Sequence, residues 1–511
     1  MSAEGNKIVR AITGVTFVMV FSKLLAMVRS VLQAQEFGAG MDVDAFIQAN
    51  NYTVAIFTTV AYALCVAAIP RISGALLKSR EEAKRTADRL ISNTMVLAIL
   101  LTAVLILLGL AGLPERIFGT AQGDMFTYCF VAFSATLPVV VLTYMLLAMF
   151  QSLGHFTLQG ALSLVYNLVL IGALILLAGK LSLQNFALLT AVCWLFQLAM
   201  VVPAMRKEGY VPRLRVDLRE KDYWDFLRTG AITAFNAALF LLCYLVNTLF
   251  AASAPAGTVS AFFYADKLYE PLTSTLAHSV SIVLYPKFSQ LYQQVTRDEY
   301  QQSVVHMMKN TLLLVLPVSV LFTAFGTPVI RVLYEGGSFT LEDGLLCGGI
   351  FSIYALGMAG FFMLDILNKA YYAMGKTMVP LCVSGCILAF CVVFDLVCVA
   401  VFPNNPTLLA FGTSLGFLLG GAVLYVFFAR SGHGVKMPVK QLFWGTVLSV
   451  LLGMAAFWSH RLILADDAGK LMMVLVCMGI GVIGMLVYLL LMGSMVPTRE
   501  IMDKLRGRKE G

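Results

Sequence analysis

The stretch DAFIQANNYTVAIFTTVAYALCVAAIPRISG, residues 44–74, has a twin in the same chain: SAFFYADKLYEPLTSTLAHSVSIVLYPKFSQ, residues 260–290. The two align without a gap. Ala45 meets Ala261, Phe46 meets Phe262, Ala49 meets Ala265, Thr59 meets Thr275, Ala61 meets Ala277, Pro70 meets Pro286 and Ser73 meets Ser289. Arg71 faces Lys287 at the same helix exit. Apolar segments of similar composition also align by chance, but the shared proline and the unbroken register point to a duplicated unit. Farther on, Arg116-Ile117-Phe118 is similar to Arg331-Val332-Leu333, and the turn Gln151-Ser152-Leu153-Gly154 to Tyr372-Ala373-Met374-Gly375.

The surroundings of the twin stretches are apolar throughout. The 511 residues are 59% hydrophobic and 13% charged, whereas soluble domains carry about 25% charged residues. This is a polytopic membrane protein. Windows of about 20 apolar residues, long enough to cross the hydrocarbon core, number fourteen between residues 8 and 495; four of them are 8–36, 158–179, 226–253 and 258–286. An even number of spans puts both termini on one side, and basic residues should then fill alternate connections. With the amino terminus placed in the cytoplasm, 27 of the 36 lysines and arginines fall on the cytoplasmic side, 5 on the opposite side and 4 inside spans.

The expected fold is therefore an all-α integral membrane protein with fourteen transmembrane helices. Two parallel six-helix repeats form two lobes, and two extra C-terminal helices follow. The expected division is an N-lobe at 1–206, a cytoplasmic linker at 207–222, a C-lobe at 223–430, and helices 13 and 14 with a cytoplasmic tail at 431–511. Lys7 and Arg10 before an apolar run resemble a signal peptide, but no small-residue cleavage site follows, so the segment is read as a retained first helix.

Several function classes are excluded. The net charge of +8 follows from topology and contact with anionic lipid; no basic patch interleaved with aromatics suggests nucleic acid. All ten cysteines lie in apolar segments, and Cys382 and Cys386, one turn apart, lack the further ligands of a zinc site. No extramembrane stretch is long enough for a catalytic domain or carries a phosphate loop, so no enzyme is expected.

What the chain does carry is charge where hydrocarbon is expected: Lys23 and Arg29 in the first span, Lys267 in the eighth and Lys369 in the tenth. A Lys or Arg at mid-bilayer costs roughly 2.5–3.5 kcal/mol even on insertion scales. Asp44, Gln48, Asn51, Thr58 and Tyr62 recur at helical spacing along the second span, and their twins are Ser260, Tyr264, Lys267, Ser274 and His278. Matching polar stripes imply a cleft shared by the halves, and its cations imply an anionic guest such as a diphosphate. Blander readings stand beside this one. Lys267 can pair with Glu270, Lys369 with Asp365, and Lys23 can snorkel or pair with Asp44 or Glu36. Asp395 in the eleventh span either meets a cation or proton, helped by Asn247, or stays protonated against a neighbouring helix. Gly412, Gly416 and Gly420 read as a packing stripe.

The stretches FSKLLAMVRS (21–30) and FGAGMDVDAF (37–46) resemble the start of the bacterial lipid II flippase family of the MurJ/MviN type. That family lies within the multidrug and oligosaccharidyl-lipid exporter superfamily. VNTLFAAS (246–253), FFYADKLYEPL (262–272) and YPKFSQ (285–290) extend the likeness. The resemblance implies two lobes around a cationic cavity, alternating access, and a groove for a polyprenyl tail on the added helices. Arg29 and Asp44 match the family's first-helix Arg and second-helix Asp; Lys23 and Lys267 stand where many members have Arg. Phe57, Thr58 and Tyr62 replace an Arg pair and a Glu found in some members. The family's Na⁺ ligands fall at Asn247, Cys391 and Asp395 here, a weaker donor set.

The expected function is translocation of an undecaprenyl-diphosphate-linked peptidoglycan precursor from inner to outer leaflet of the bacterial plasma membrane. Lys23, Arg29, Asp44, Asn51, Lys267 and Glu270 form the substrate site, no cofactor is required, and Na⁺ or H⁺ supplies the coupling, with Asn247 and Asp395 as the metal candidates. A flippase for another polyprenyl-linked glycan, a multidrug antiporter, and a scaffold that recruits cell-wall synthesis proteins are the alternatives. The intramembrane cations weigh against the antiporter.

Overall fold

The computed structural model describes residues 21–118, 123–153, 157–376, 378–430, 439–463 and 469–492. Within these it describes all side chains except 115, 117–118, 157, 159–160, 236–237, 239–240, 275–287, 289–291, 293–294 and 460–461. Lys7 and Arg10, the side chain of His278 and those of the twin residues Thr275, Ala277, Pro286 and Ser289 lie outside the described residues.

Among the described residues the chain is helical, without strands. In order come α1 (21–37), α2 (Met41–Leu76), α3 (Arg80–Leu110), α4 (Gly123–Ser152), α5 (Thr157–Leu176), α6 (Leu183–Lys207) and α7 (Lys221–Ala251). Then come α8 (Thr258–Gln294), α9 (Arg297–Tyr334), α10 (Leu341–Leu356 and Met358–Ala373, bent by 42°) and α11 (Met378–Val401). The last are α12 (Pro406–Arg430), α13 (Val439–Ile463) and α14 (Lys470–Leu491). Nine of these are long and apolar enough to cross a membrane, or ten with the bent α10 as one span. The count of fourteen is thus not reached by that measure. The expected span 8–36 includes residues outside those described, and 158–179, 226–253 and 258–286 include side chains outside those described, which shortens the apolar run left to count.

Helix starts follow ordinary capping chemistry. Ser79 and Ser182 accept from the backbone N–H groups of Glu82 and Asn185 at 3.0 and 3.2 Å. Thr296 with Glu299 and Thr340 with Asp343 form reciprocal capping boxes on α9 and α10.

Two compact units emerge, Met1–Phe263 with Gly337–Phe339, and Tyr264–Gly336 with Thr340–Gly511. In the first, Phe46 of α2 packs edge-on against Phe133 of α4, with centroids 5.6 Å apart, and lies 5.7 Å from Phe186 of α6. In this unit α7 lies on α2: Gly230 sits so close to Leu64 that a Cβ would stand 2.6 Å from its methyl carbon. The Arg71 guanidinium stacks over Phe226 at 5.5 Å. The segment Gly337–Phe339 seats on the end of α1, where the Ser338 N–H donates to the Gln35 carbonyl at 2.7 Å and its hydroxyl to the Glu36 carbonyl at 3.0 Å.

In the second unit the small-residue stripe of α12 does what its spacing predicts. Gly412 and Gly416 face α11, where added Cβ atoms would meet Asp395 and Phe394, or Ile387 and Cys391. Gly360 of α10 lies against the backbone of α12 at Phe417 and Leu418.

The 208–220 connection is an extended strap laid along the first turns of α3. Asp88 accepts from the Tyr210 hydroxyl at 2.9 Å and from the Arg213 N–H at 3.0 Å. Ser92 accepts from the Arg215 N–H at 2.9 Å, and the Asn93 amide bonds both the N–H and the C=O of Asp217, at 2.7 and 2.8 Å. Arg89 pairs with Glu220 at 2.7 Å. Side chains of a helix thus supply the hydrogen bonds that a neighbouring strand would otherwise give. Burial, reinforced by the Asp88 carboxylate, pushes the Tyr210 phenol above its ordinary value and keeps it a donor.

Candidate functional site

Arg29 stands on α1, a helix whose other residues are mostly apolar. Its Nε donates to Asn167 Oδ1 of α5 at 3.0 Å, and its guanidinium lies over the Tyr166 ring, 5.4 Å from the centroid. Asn167 is itself fixed: its amide nitrogen donates to the Ser163 carbonyl at 2.8 Å and reaches the Ser22 carbonyl at 3.5 Å. The terminal Nη groups of Arg29 carry no hydrogen bond or ion pair among the described residues. The side chain is half-buried, so its planar fork is oriented, reachable and unspent, which is the geometry that takes a phosphate or carboxylate with two parallel bonds. Lys23, six positions earlier, is half-buried on the same helix. On an ideal helix six residues is about 9 Å of rise. Sequence reading missed Tyr166 and Asn167; an adjacent Tyr-Asn inside the apolar run of α5 was the available signal.

Asp44 is buried near the start of α2. Its carboxylate accepts from the Gly257 N–H at 2.8 Å, from the Ser260 N–H at 2.7 Å, and from the Ser260 hydroxyl. It therefore closes the N-terminus of α8, where free N–H groups and the helix dipole favour a negative charge. Ser260 is the repeat partner of Asp44, so equivalent positions of the duplicated unit touch. Glu36, the other acid weighed for Lys23, accepts from the Gly179 N–H at 2.7 Å.

Asn51 opens a π-helical turn, Asn51–Ala55, inside α2. A turn of this kind holds an extra residue and rotates everything after it relative to an unbroken α-helix, and such turns are frequent at functional sites. The expected stripe is correspondingly split. Asp44 and Gln48 are buried, Asn51 and Thr58 half-buried, and Tyr62 is exposed beside Tyr144 with centroids 6.4 Å apart. Thr58 and Thr59 both donate to the Ala55 carbonyl, at 3.0 and 2.8 Å, where the wide turn ends.

In the second unit the Lys267 ammonium lies 3.4 Å from the Asp266 carboxylate, both partly exposed. Glu270, one turn on, has an exposed side chain, and its carbonyl accepts from Thr273 at 3.1 Å. Lys369 and Asp365 form the i,i+4 ion pair that their spacing predicts. Asp395 of α11 is fully buried, and neither carboxylate oxygen has a hydrogen-bond partner among the described residues. One turn earlier Cys391 Sγ donates to the Gly412 carbonyl at 3.4 Å. Asn247, in the first unit, is also fully buried. No cluster of three or more His, Cys, Asp or Glu side chains able to hold a metal ion occurs among the described residues.

Among the described residues the chain is all helical, with nine or ten helices of membrane-crossing length, which defines a polytopic membrane protein. Solved structures place the fold more narrowly. One described as "Lipid II flippase MurJ, inward closed conformation" superposes with a TM-score of 0.78 at 19% identity, covering 93% of this chain and 98% of its own. An inward-facing multidrug transporter of the MATE family in the MOP superfamily gives 0.64 at 12% identity, covering 82% and 97%. The family model "Lipid II flippase MurJ" matches residues 33–478, and the chain belongs to that family. Relatives include the "Lipid II flippase MurJ" of Burkholderia cenocepacia, 24% identical over 438 residues and covering 83% of this chain and 84% of that protein. The "Probable lipid II flippase MurJ" of Buchnera aphidicola from Schizaphis graminum is 24% identical over 390 residues, covering 74% and 75%.

Proposed function

We propose that this protein is a lipid II flippase of the bacterial inner membrane, carrying the lipid-linked peptidoglycan precursor from the cytoplasmic to the outer leaflet. Family membership gives the substrate class, and the observation that carries the chemistry is Arg29. Its Nε is taken by Asn167 and its face by Tyr166, while its two Nη groups are free for a diphosphate. Lys23 and Lys267 add movable positive charge, Asn51 sits at the wide turn of α2, and Glu270 with Asp266 sets the charge around Lys267. Asp44 works differently: it holds the start of α8 and so positions the segment that carries Lys267.

Both termini are cytoplasmic in this reading, the chain is a transporter without catalytic chemistry, and the repeat halves 1–206 and 223–430 are the lobes that alternate. Membrane potential or an ion gradient drives the cycle; one elementary charge moved through 100 mV supplies about 2.3 kcal/mol. The donor set at Asn247, Cys391 and Asp395 fits an oxygen-lined Na⁺ site poorly, because it holds one carboxylate and a thiol already bonded to a carbonyl. Asp395 is instead the group whose orphaned carboxylate a single cation or proton neutralises.

Native mass spectrometry of the purified protein with lipid II tests the substrate reading. The parent retains lipid II and Arg29→Ala loses it by ten-fold or more. Equal retention by the two proteins overturns the role of Arg29.

A further inference from the structure

At one end of the first unit, α2, α3 and the start of α7 enclose a cavity of about 570 Å³. Its walls carry charge in layers. Residues 45–70 of α2, 90–110 of α3 and 229–251 of α7 hold no Asp, Glu, Lys or Arg. Arg71, Arg89 and Arg228 border those runs, which sets them at the headgroup level on the basic, cytoplasmic side. Trp224, half exposed and one turn from Arg228, is the kind of aromatic found at that level. Arg71 and Arg89 line the cavity there. Glu82, Asp222 and Asp225 line it farther from the apolar runs, at the starts of α3 and α7, and Lys78 lies past the end of α2.

Arg89 is spent on Glu220, 2.7 Å away. Arg71 is held in place but not spent. Its guanidinium lies over Phe226 at 5.5 Å and one Nη donates to the Ala67 carbonyl at 3.1 Å. Its other N–H groups make no hydrogen bond among the described residues, and the Lys78 ammonium and the Glu82, Asp222 and Asp225 carboxylates make no ion pair among them. Gly74, one turn from Arg71 on the same face, has open space where a Cβ would stand, so a guest can reach the guanidinium.

From the bilayer side to the water side the cavity therefore offers an oriented guanidinium, then three carboxylates against one ammonium. A simple anion is repelled by the outer layer and a simple cation by the inner one. A guest that satisfies both carries a phosphate on the bilayer side and an ammonium a few bonds outward, which is the order of groups in an aminophospholipid headgroup. We propose that this cavity binds such a zwitterionic headgroup, its phosphate on Arg71 and its ammonium among Glu82, Asp222 and Asp225. The site is separate from Arg29 and does not depend on which lipid the chain flips.

The test is native mass spectrometry of the full-length protein, delipidated in neutral detergent. Phosphatidylethanolamine, or phosphatidylglycerol, which keeps the phosphate and lacks the ammonium, is then added. The parent should hold phosphatidylethanolamine roughly five-fold more tightly than phosphatidylglycerol, or better. Arg71→Gln should weaken phosphatidylethanolamine binding by a similar factor. The double variant Asp222→Asn with Asp225→Asn should hold the two lipids alike. Soluble phosphoethanolamine separates the sources: displacement of the lipid by it identifies a site for the free headgroup, and no displacement identifies one that takes it from the bilayer. The proposal fails if the parent holds phosphatidylglycerol as tightly as phosphatidylethanolamine, if Arg71→Gln binds phosphatidylethanolamine like the parent, or if the double variant keeps the parent's preference. The parent's preference needs no variant, and Asp222 and Asp225 are exposed, so a poorly folding Arg71→Gln leaves the test intact.

Discussion

Arg29 depends on Asn167 for its direction, so the two residues should fail together. A hydrogen bond to a charged group contributes about 1.5–3 kcal/mol, which corresponds to roughly a ten- to hundred-fold change in affinity. Asn167→Leu is expected to weaken lipid II binding by that order without removing the charge. The double variant with Arg29→Ala should bind no worse than Arg29→Ala alone; additive losses would show that Asn167 acts elsewhere. Asp44→Ala should lower the thermal midpoint, because it leaves the Gly257 and Ser260 N–H groups without their acceptor, a helix-cap loss of about 0.5–2 kcal/mol. At this scale the sequence made Arg29 and Asp44 visible as charges in apolar runs. Their partners were hidden, because Asn167 and Gly257 are distant in the chain and become neighbours only through packing.

The strap over α3 is held by side chains, which makes it separable from the helices. Asn93→Leu removes both bonds to Asp217. At about 1 kcal/mol net for each hydrogen bond, local opening should rise roughly thirty-fold. Trypsin should then cut faster after Arg213, Arg215 or Arg219, all exposed; unchanged cleavage would mean that the ladder is not what holds the strap. At the end of α1, Gly337 has φ +58°, and a Cβ there would collide with the Gln35 carbonyl. Gly337→Val should therefore destabilise by at least about 1–2 kcal/mol, read as a lower melting midpoint than that of the parent. Helices and the packing stripe of α12 were legible because they are local patterns of apolarity and glycine. The π turn was not: one extra residue in Asn51–Ala55 leaves no mark in composition, yet it splits the stripe that straight helical spacing had drawn through Asp44 and Tyr62. The strap was legible only as a basic linker at 207–222, since its order comes from Asp88, Ser92 and Asn93 more than a hundred residues earlier.

For the whole molecule, the duplicated stretch and the alternating charge of the loops led to the transporter class, and the family match over residues 33–478 agrees with the resemblance carried by FSKLLAMVRS and FFYADKLYEPL. Periodic repeats and membrane-length runs are written into composition, which is why this level was the most readable. Sugar specificity is not written that way, because no local pattern of apolarity or charge marks the side chains that would face a sugar. The measurement that tests the central claim most directly is rescue of a bacterium depleted of its own lipid II flippase, with membrane expression matched. The parent chain should restore growth and wall synthesis, and Arg29→Ala should not. Full rescue by Arg29→Ala, or failure of the well-expressed parent, would contradict lipid II transport through this arginine.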